Sequence, residues 1–460
     1  MSGTIVRGAW ALTMGPGGAI REGAVAFDGD GRITAVGKAV ELAAADPGAT
    51  VVGDGNGIVL PGFVNAHTHL TEGLITGMGE TAVLWEWFER VVNPSGINIT
   101  RDQVELGTRL KAVEMLESGI TTVNDMCCHR NIGSLASLGA VDGLSAMGMR
   151  GVVCFGAEDM YDGAPAADEF MAEHEALADR ISSEDMIDFR IGVGTVLGMS
   201  DELFKRTIEA AAANDWAIHT HLAEVREEIT ESTLLHGGST IQHADRAGML
   251  DHEVIAGHCI WCSENDIGLL ASSDVAVAHN PVANMILASG VCPVPRLLRE
   301  GIRIGIGTDG AASNDSQDMF GAIKSAALLQ KVHHLQAVSM TAPQVMEMAT
   351  IGGAKALGME HEIGSLEPGK RADVVLLDGN GPELAVLHDP FQQIVYGATP
   401  RSVSEVWVDG ELRVTGAQTV GVDRSALAAE ARESARDLAI RGDMKGESAY
   451  AGPLDFEEGK

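Results

Sequence analysis

The amino-acid sequence predicts an α/β protein in which a closed (β/α)8 barrel lies between two β-rich chain ends. From about residue 59 to 365, apolar β runs alternate with helical stretches, as repeated βα units around a parallel sheet do. Candidate strands end near His67, Asp125, Phe155, Gly194, His221, His258, His279 and Asp309. Eight such units in about 300 residues suit a barrel, for which roughly 250 is typical. A doubly wound open sheet is the alternative, but no GxGxxG follows the first strand.

The elements follow in order. Thr4-Ile5-Val6, Gly23 to Phe27 and Ile33 to Val36 are short apolar runs punctuated by turns such as Gly29-Asp30-Gly31, a small antiparallel β unit. Ile58 to Val64 leads into the first barrel strand. The loop after it, Leu70 to Asn93, is long and holds Trp85 and Trp87, two of the six tryptophans, which would wall a pocket or pack a helix on the barrel. Thr100 to Gln103 has capping-box spacing, and Val104, Leu110, Val113 and Leu116 follow with helical periodicity. Ala372 to Asp378 and Val403 to Leu412 return to β signals, the second a hairpin with Asp409-Gly410 at its turn. Arg424 to Arg441 reads as a helix with Ala428, Ala431, Ala435 and Leu438 on one face, and the last residues as a tail.

Composition narrows the function. A chain of 460 residues with 45% hydrophobic and 21% charged residues is globular, which excludes disorder as the main state. Lys and Arg number 32 against 65 Asp and Glu, and the formal charge of −33 repels nucleic acid and anionic membrane surfaces. The N-terminal apolar stretch is broken by Arg7 and glycines and lacks the ~20-residue run of a membrane span. A cytoplasmic protein is expected, and its six cysteines would stay reduced.

Chemistry concentrates at the strand ends. His67 and His69 stand at i and i+2, so alternation puts both imidazoles on one side, half of a divalent metal site. Alone, such a pair reads equally well as two surface histidines. It is joined by His219-Thr220-His221 with Glu224, by His258, by His279 and by Thr308-Asp309, all at successive strand ends. In a barrel those ends form one face, so groups more than 240 positions apart converge. Cys259 to Cys262 is a CxxC without a second pair and reads as packing. Adjacent Cys127 and Cys128 are poorly placed for a routine disulfide, and His333-His334 reads as surface.

The runs Pro61 to His69, Gly119 to Thr122, His221-x-x-Glu224, His258, His279-Asn280-Pro281, Gly307 to Asp309 and Gly364 to Asp373 resemble the amidohydrolase superfamily. The subgroup resembled is that of triazine hydrolases and aminohydrolases of nucleosides or heterocycles, together with phenylurea and thiocarbamate herbicide hydrolases. The resemblance extends to about residue 415. It implies a TIM barrel over 59–365, a flanking β-sandwich built from 1–58 and 366–422, and a C-terminal helix and tail over 423–460. It makes His67, His69, His221 and Asp309 the ligands of one divalent metal ion, for which zinc is favoured and cobalt, iron or manganese also suit. Binuclear members carry a carboxylated lysine on the fourth strand. Asp188 to Thr195 contains none, so a mononuclear site is expected.

Such an ion lowers the pKa of water from 15.7 towards ~7. Asp309 is then the catalytic base, His258 orients the nucleophile or steadies the developing oxyanion, and Glu224 protonates the leaving group. His279, Trp85 and Trp87 are assigned to substrate contact. Nucleoside aminohydrolases of this family usually show a His-containing polar stretch after the fourth strand. Here Thr195 to Met199 is apolar, and no Arg or Lys cluster marks the strand ends. The expected substrate is therefore small, neutral and apolar, in first place a urea, carbamate or thiocarbamate. The alternative is a triazine, pterin or purine that loses ammonia, an alkylamine or chloride. A non-enzymatic scaffold would have lost one of these site residues, and all are present. A homo-oligomer is the expected assembly.

Overall fold

The computed structural model describes residues 3–444 and the short strand pair Glu447–Ser448 and Gly452–Pro453. The rest of the expected tail lies outside the described residues. The barrel strands are β1 (Phe63–Thr68), β2 (Ile120–Cys127), β3 (Arg150–Ala157), β4 (Ile191–Thr195), β5 (Ile218–Leu222), β6 (Val254–His258), β7 (Val275–His279) and β8 (Arg303–Ile306). They pair in parallel in sequence order. Nearly every residue in them is buried, because helices cover one face and the barrel fills the other. The parallel ladder does not run across β8 and β1, and the seam is closed by side chains instead. Asn65 Oδ1 accepts from the Thr308 amide at 2.9 Å, Asn65 Nδ2 donates to Thr308 Oγ1 at 2.7 Å, and the Asp309 amide donates to the His67 carbonyl at 3.0 Å. The closure thus fixes the two ends that carry His67 and Asp309.

Between β1 and β2 the helix Arg101–Glu117 starts where the spacing predicts. The Gln103 amide donates to Thr100 Oγ1 and the Thr100 amide to Gln103 Oε1, both at 3.3 Å. The C-terminal helix Arg424–Arg441 docks on it. Leu427, Ala431 and Leu438 are buried there, and Arg441 Nη2 donates to Gln103 Oε1 at 2.7 Å.

The flanks form two sheets. One is wholly N-terminal, ordered Ile33–Lys38, Gly23–Phe27, Thr4–Arg7, Thr50–Val52. The other draws on both ends: Gln418–Thr419, Glu411–Thr415, Val403–Val408, Val374–Leu377, Ile58–Pro61, Trp10–Leu12 and Ala19–Arg21. Val6, Val25, Phe27, Val59, Val374 and Trp407 belong to the core shared by these sheets. The three-residue strands and the helix Ala39–Ala45 are too short to show a period in the sequence. Ile58–Pro61 pairs with Val374–Leu377, so the chain leaves the shared sheet at Gly62 rather than at residue 58. A Cβ at Gly62 would lie 2.0 Å from Thr121 Oγ1, which is why the crossing needs glycine.

Barrel and sheet are joined by a buried ion pair. Arg150, at the start of β3, donates from Nε to Asp373 Oδ2 at 3.2 Å and from Nη2 to Oδ1 at 3.3 Å, with both side chains under a tenth exposed. Asp409 Oδ1 also lies 3.4 Å from Arg150 Nη2, so Asp373→Ala weakens the compensation of a buried charge without abolishing it and should destabilise the protein by about 1–3 kcal/mol. Urea unfolding checks this, and a loss below about 1 kcal/mol would mean the pair behaves as a solvated one.

Candidate active site

The site is built from the ends of β1, β5, β6 and β8. His69 Nε2 lies 3.1 Å from His221 Nε2, and His67 Nε2 and His69 Nε2 each lie 3.4 Å from Asp309 Oδ1. The other nitrogen of each ring is engaged. His69 Nδ1 donates to the Met126 carbonyl at 2.8 Å and His221 Nδ1 to the Gly194 carbonyl at 2.7 Å. Carbonyls only accept, so both rings carry their proton on Nδ1 and turn an Nε2 lone pair inward. His67 Nδ1 donates in the same sense to His219 Nε2 at 2.8 Å.

That leaves His67 Nε2 buried without any hydrogen-bond partner. A native protein rarely tolerates such an orphan unless something else satisfies it. The Nε2 atoms of His67 and His69 beside the Asp309 carboxylate, with His221 Nε2 adjoining His69, fit a divalent cation. The charge states agree. Burial pushes His67 and His221 down, and His69 down to about 4, so the imidazoles are neutral. Burial pushes Asp309 up, but the His67, His258 and His69 rings outweigh it and hold the carboxyl well below its ordinary range. Gly257 lies beneath this cluster, where a Cβ would stand 3.2 Å from His221 Cδ2 and 3.4 Å from His67 Cε1.

Beside the cluster, His258 Nε2 lies 3.6 Å from Glu224 Oε2 and 3.8 Å from Asp309 Oδ2, and its Nδ1 donates to Asn284 Oδ1 at 2.8 Å. Burial pulls the ring down, yet the two carboxylates outweigh it and raise it. Glu224 is pushed up to about 7 by burial, with Asp309 adding to the rise and His258 opposing it. The loop that carries Glu224 is pinned by Glu228, whose two oxygens accept the Ala223 amide at 2.9 Å and the Glu224 amide at 2.8 Å. Ala223, His258 and Asp309 have φ of 54°, 70° and 64°. Left-handed backbone costs a non-glycine residue roughly 1–2 kcal/mol, and strain of this kind collects at functional sites.

These groups open onto a cleft that His69, Glu72, His221, Glu224, His258 and Asp309 line from the barrel side. Trp85 and Trp87 line it with Leu84 and Phe88, from the segment that begins with the helix Leu84–Trp87. His279 does not line it. The ring is fully buried, neither nitrogen has a partner, and burial pushes it down to about 3. After His279 the chain turns at once into the helix Pro281–Ile286, which brings Asn284 to the site instead. The expected substrate contact from His279 is therefore withdrawn. His219 lies behind His67, and its Nδ1 is 3.4 Å from Cys154 Sγ. Because it fixes the His67 tautomer, His219→Phe should weaken metal affinity roughly 10–100-fold. Competition with a chelator measures this, and unchanged affinity would reduce His219 to packing. All six cysteines are free.

The wall at the β4 exit is not apolar. Glu158, just past the end of β3, lines the cleft, accepts from Thr195 Oγ1 at 2.8 Å and lies 3.6 Å from Arg130 Nη2. Thr195 to Met199 is mostly apolar as a string, and the polar group of this wall comes from a carboxylate 37 residues away. The signal available was the glycine spacing. A Cβ at Gly194 would meet Glu158 Cγ at 2.6 Å, and one at Gly198 would meet its Oε1 at 2.5 Å. Glu72 is also in the cleft, accepting the Ala312 amide at 2.9 Å, and burial with the charge of Asp309 raises its carboxyl well above the ordinary range.

A (β/α)8 barrel whose strand ends gather three inward histidines, an aspartate and a proton-carrying glutamate is the framework of a metal-dependent hydrolase of non-peptide C–N bonds. The chain belongs to the amidohydrolase family, whose pattern matches residues 58–413. It is 36% identical over 397 residues to the 5'-deoxyadenosine deaminase of Methanothermobacter thermautotrophicus, covering 86% of this chain and 90% of the relative. It is 33% identical over 446 residues to the 5-methylthioadenosine/S-adenosylhomocysteine deaminase of Pelotomaculum thermopropionicum, covering 96% and 100%. The crystal structure of an adenosine deaminase from Xanthomonas campestris with bound zinc superposes with a TM-score of 0.88 at 29% identity, covering 95% and 98%. The zinc complex of the atrazine chlorohydrolase from Arthrobacter aurescens shares the fold, at a TM-score of 0.87 and 24% identity, covering 94% and 100%.

Proposed function

We propose that the protein is an aminohydrolase that displaces ammonia from an amino-substituted nitrogen heterocycle of the adenine-nucleoside class. The observation that carries this reading is the similarity, at 33–36% identity over most of the chain, to relatives named as deaminases of such nucleosides. It replaces the urea-type substrate favoured by the sequence, because that preference rested on an apolar β4 exit and the exit carries Glu158 and Arg130.

His67, His69, His221 and Asp309 would hold one divalent ion, with zinc first. Bound there, it supplies a Lewis acid that brings the pKa of a water from 15.7 towards ~7. The chain's own groups do the rest. Asp309 Oδ2, facing His258, accepts a proton from the attacking water. His258, oriented by Asn284, steadies the charge that develops at the attacked carbon's substituents. Glu224, which still holds its proton near neutrality, delivers it to the departing amine. Trp85 and Trp87 offer apolar faces to a flat ring at the wall of the cleft.

The test is ammonia release, with product mass, from 5'-deoxyadenosine, 5'-methylthioadenosine, S-adenosylhomocysteine and adenosine, set against N-aryl ureas and chlorotriazines. The expected product carries OH in place of NH2. Turnover of ureas or chlorotriazines with no ammonia from any aminopurine would overturn the proposal.

A further inference from the structure

We infer that Glu158, braced by Thr195 and Arg130, is a substrate subsite of the cleft that accepts hydrogen bonds from N–H or O–H donors of the substrate and so selects donor-bearing substrates. This deepens the deaminase reading and rests on it. Glu158 is four-fifths buried, yet it lines the cleft that holds Glu224 and His258. The β4 exit is cut back to make room for it, since Gly194 and Gly198 would both collide with Glu158 if they carried a Cβ. The same Gly194 supplies the carbonyl that orients His221, so one backbone position touches both Glu158 and a histidine of the metal cluster.

Its bonding is incomplete in a directed way. A carboxylate has about four acceptor positions. Thr195 engages it through its hydroxyl at 2.8 Å and through its amide, and Arg130 makes a longer contact at 3.6 Å, so the acceptor capacity is only partly used. The Arg130 guanidinium also lies 4.6 Å from the Tyr161 ring centre, so it is shared between that ring and the carboxylate. The cation keeps the wall near neutral overall, so the subsite offers acceptors without a net charge. An anionic substrate group gains little there, whereas a group with two donors gains most.

Two sources of donors exist in the proposed substrates, the vicinal hydroxyls of a ribose and a ring N–H. Four compounds separate them: 5'-deoxyadenosine against 2',3',5'-trideoxyadenosine, and adenine against 9-methyladenine. For wild type and Glu158→Gln, kcat and KM are measured on each by ammonia release. The wild type should prefer the donor-bearing member of one pair by at least about tenfold in kcat/KM, as loss of one buried hydrogen bond predicts. Glu158→Gln, which keeps the shape but replaces one acceptor oxygen by an NH2 donor, should cut that preference by at least about threefold, mainly through KM. Collapse of the first pair assigns the subsite to ribose hydroxyls, and collapse of the second to the ring. If the wild type deaminates these compounds and the substitution lowers all four alike, or none, the subsite is overturned and the deaminase reading stands. If the wild type releases no ammonia from any of them, both fall.

Discussion

His67→Ala should bind no divalent metal and lose on the order of 10⁴-fold or more in kcat/KM, equivalent to roughly 5 kcal/mol of transition-state stabilisation. No other residue of the site combines so many of its contacts. Its Nε2 faces Asp309 at 3.4 Å, its Nδ1 is bonded to His219, and its ring centre lies 4.8 Å from that of His69 and 4.9 Å from that of His221. Without it, the remaining neutral imidazoles and the Asp309 carboxylate lose their common centre. The measurement is metal content per chain after reconstitution and dialysis, beside turnover. Wild type should hold one equivalent. Two equivalents would sink the mononuclear assignment, and turnover surviving in a metal-free variant would sink the whole scheme. His69→Ala provides a second variant should the cavity left at buried His67 impair folding.

Glu224→Gln should keep one equivalent of metal but lose about 10²–10⁴-fold in kcat on amine-leaving substrates, the range a positioned proton donor supplies. The pH dependence separates this from a binding defect. Glu224 must be protonated to act and titrates at about 7, so kcat should fall as pH rises through that value. An ordinary glutamate would have lost its proton near pH ~4.3. The alkaline limb should vanish in Glu224→Gln, and a limb that persists would assign it to another group. Stability should fall over the same pH range. A carboxyl whose folded pKa is raised binds protons more tightly in the folded state, so its contribution is lost as pH rises from the unfolded value to about 7. In metal-stripped protein, Glu224→Gln should therefore gain thermal stability over wild type at pH 8, with the gap narrowing toward pH 5. Equal unfolding temperatures at pH 8 would show that Glu224 is not strained as a buried carboxylate.

Much of this site could be read along the chain because its chemistry is written in short strings at strand ends. His67-Thr68-His69 and His221-x-x-Glu224 are local, and a barrel brings strand ends to one rim whatever lies between them. The misreadings have a common form. His279 looked like its neighbours in the series, but the helix that follows it decides which side chain reaches the cleft, and that is Asn284. The β4 exit looked apolar because its polar group arrives from β3. Glu228 carried no motif, and its role rests on accepting two amides of the loop above it.

The sequence by itself determined the fold class and the residues gathered at the barrel rim, since strand alternation and βα repetition are local properties whose sum closes only one way. Tertiary structure alone decided the protonation and the polar lining of the cleft. The pKa of Glu224, the orphaned Nε2 of His67 and the Glu158–Arg130 wall each depend on burial and on side chains meeting from separate βα loops. Desolvation and reach across the rim are properties of the assembled interior and leave no period or spacing along the chain.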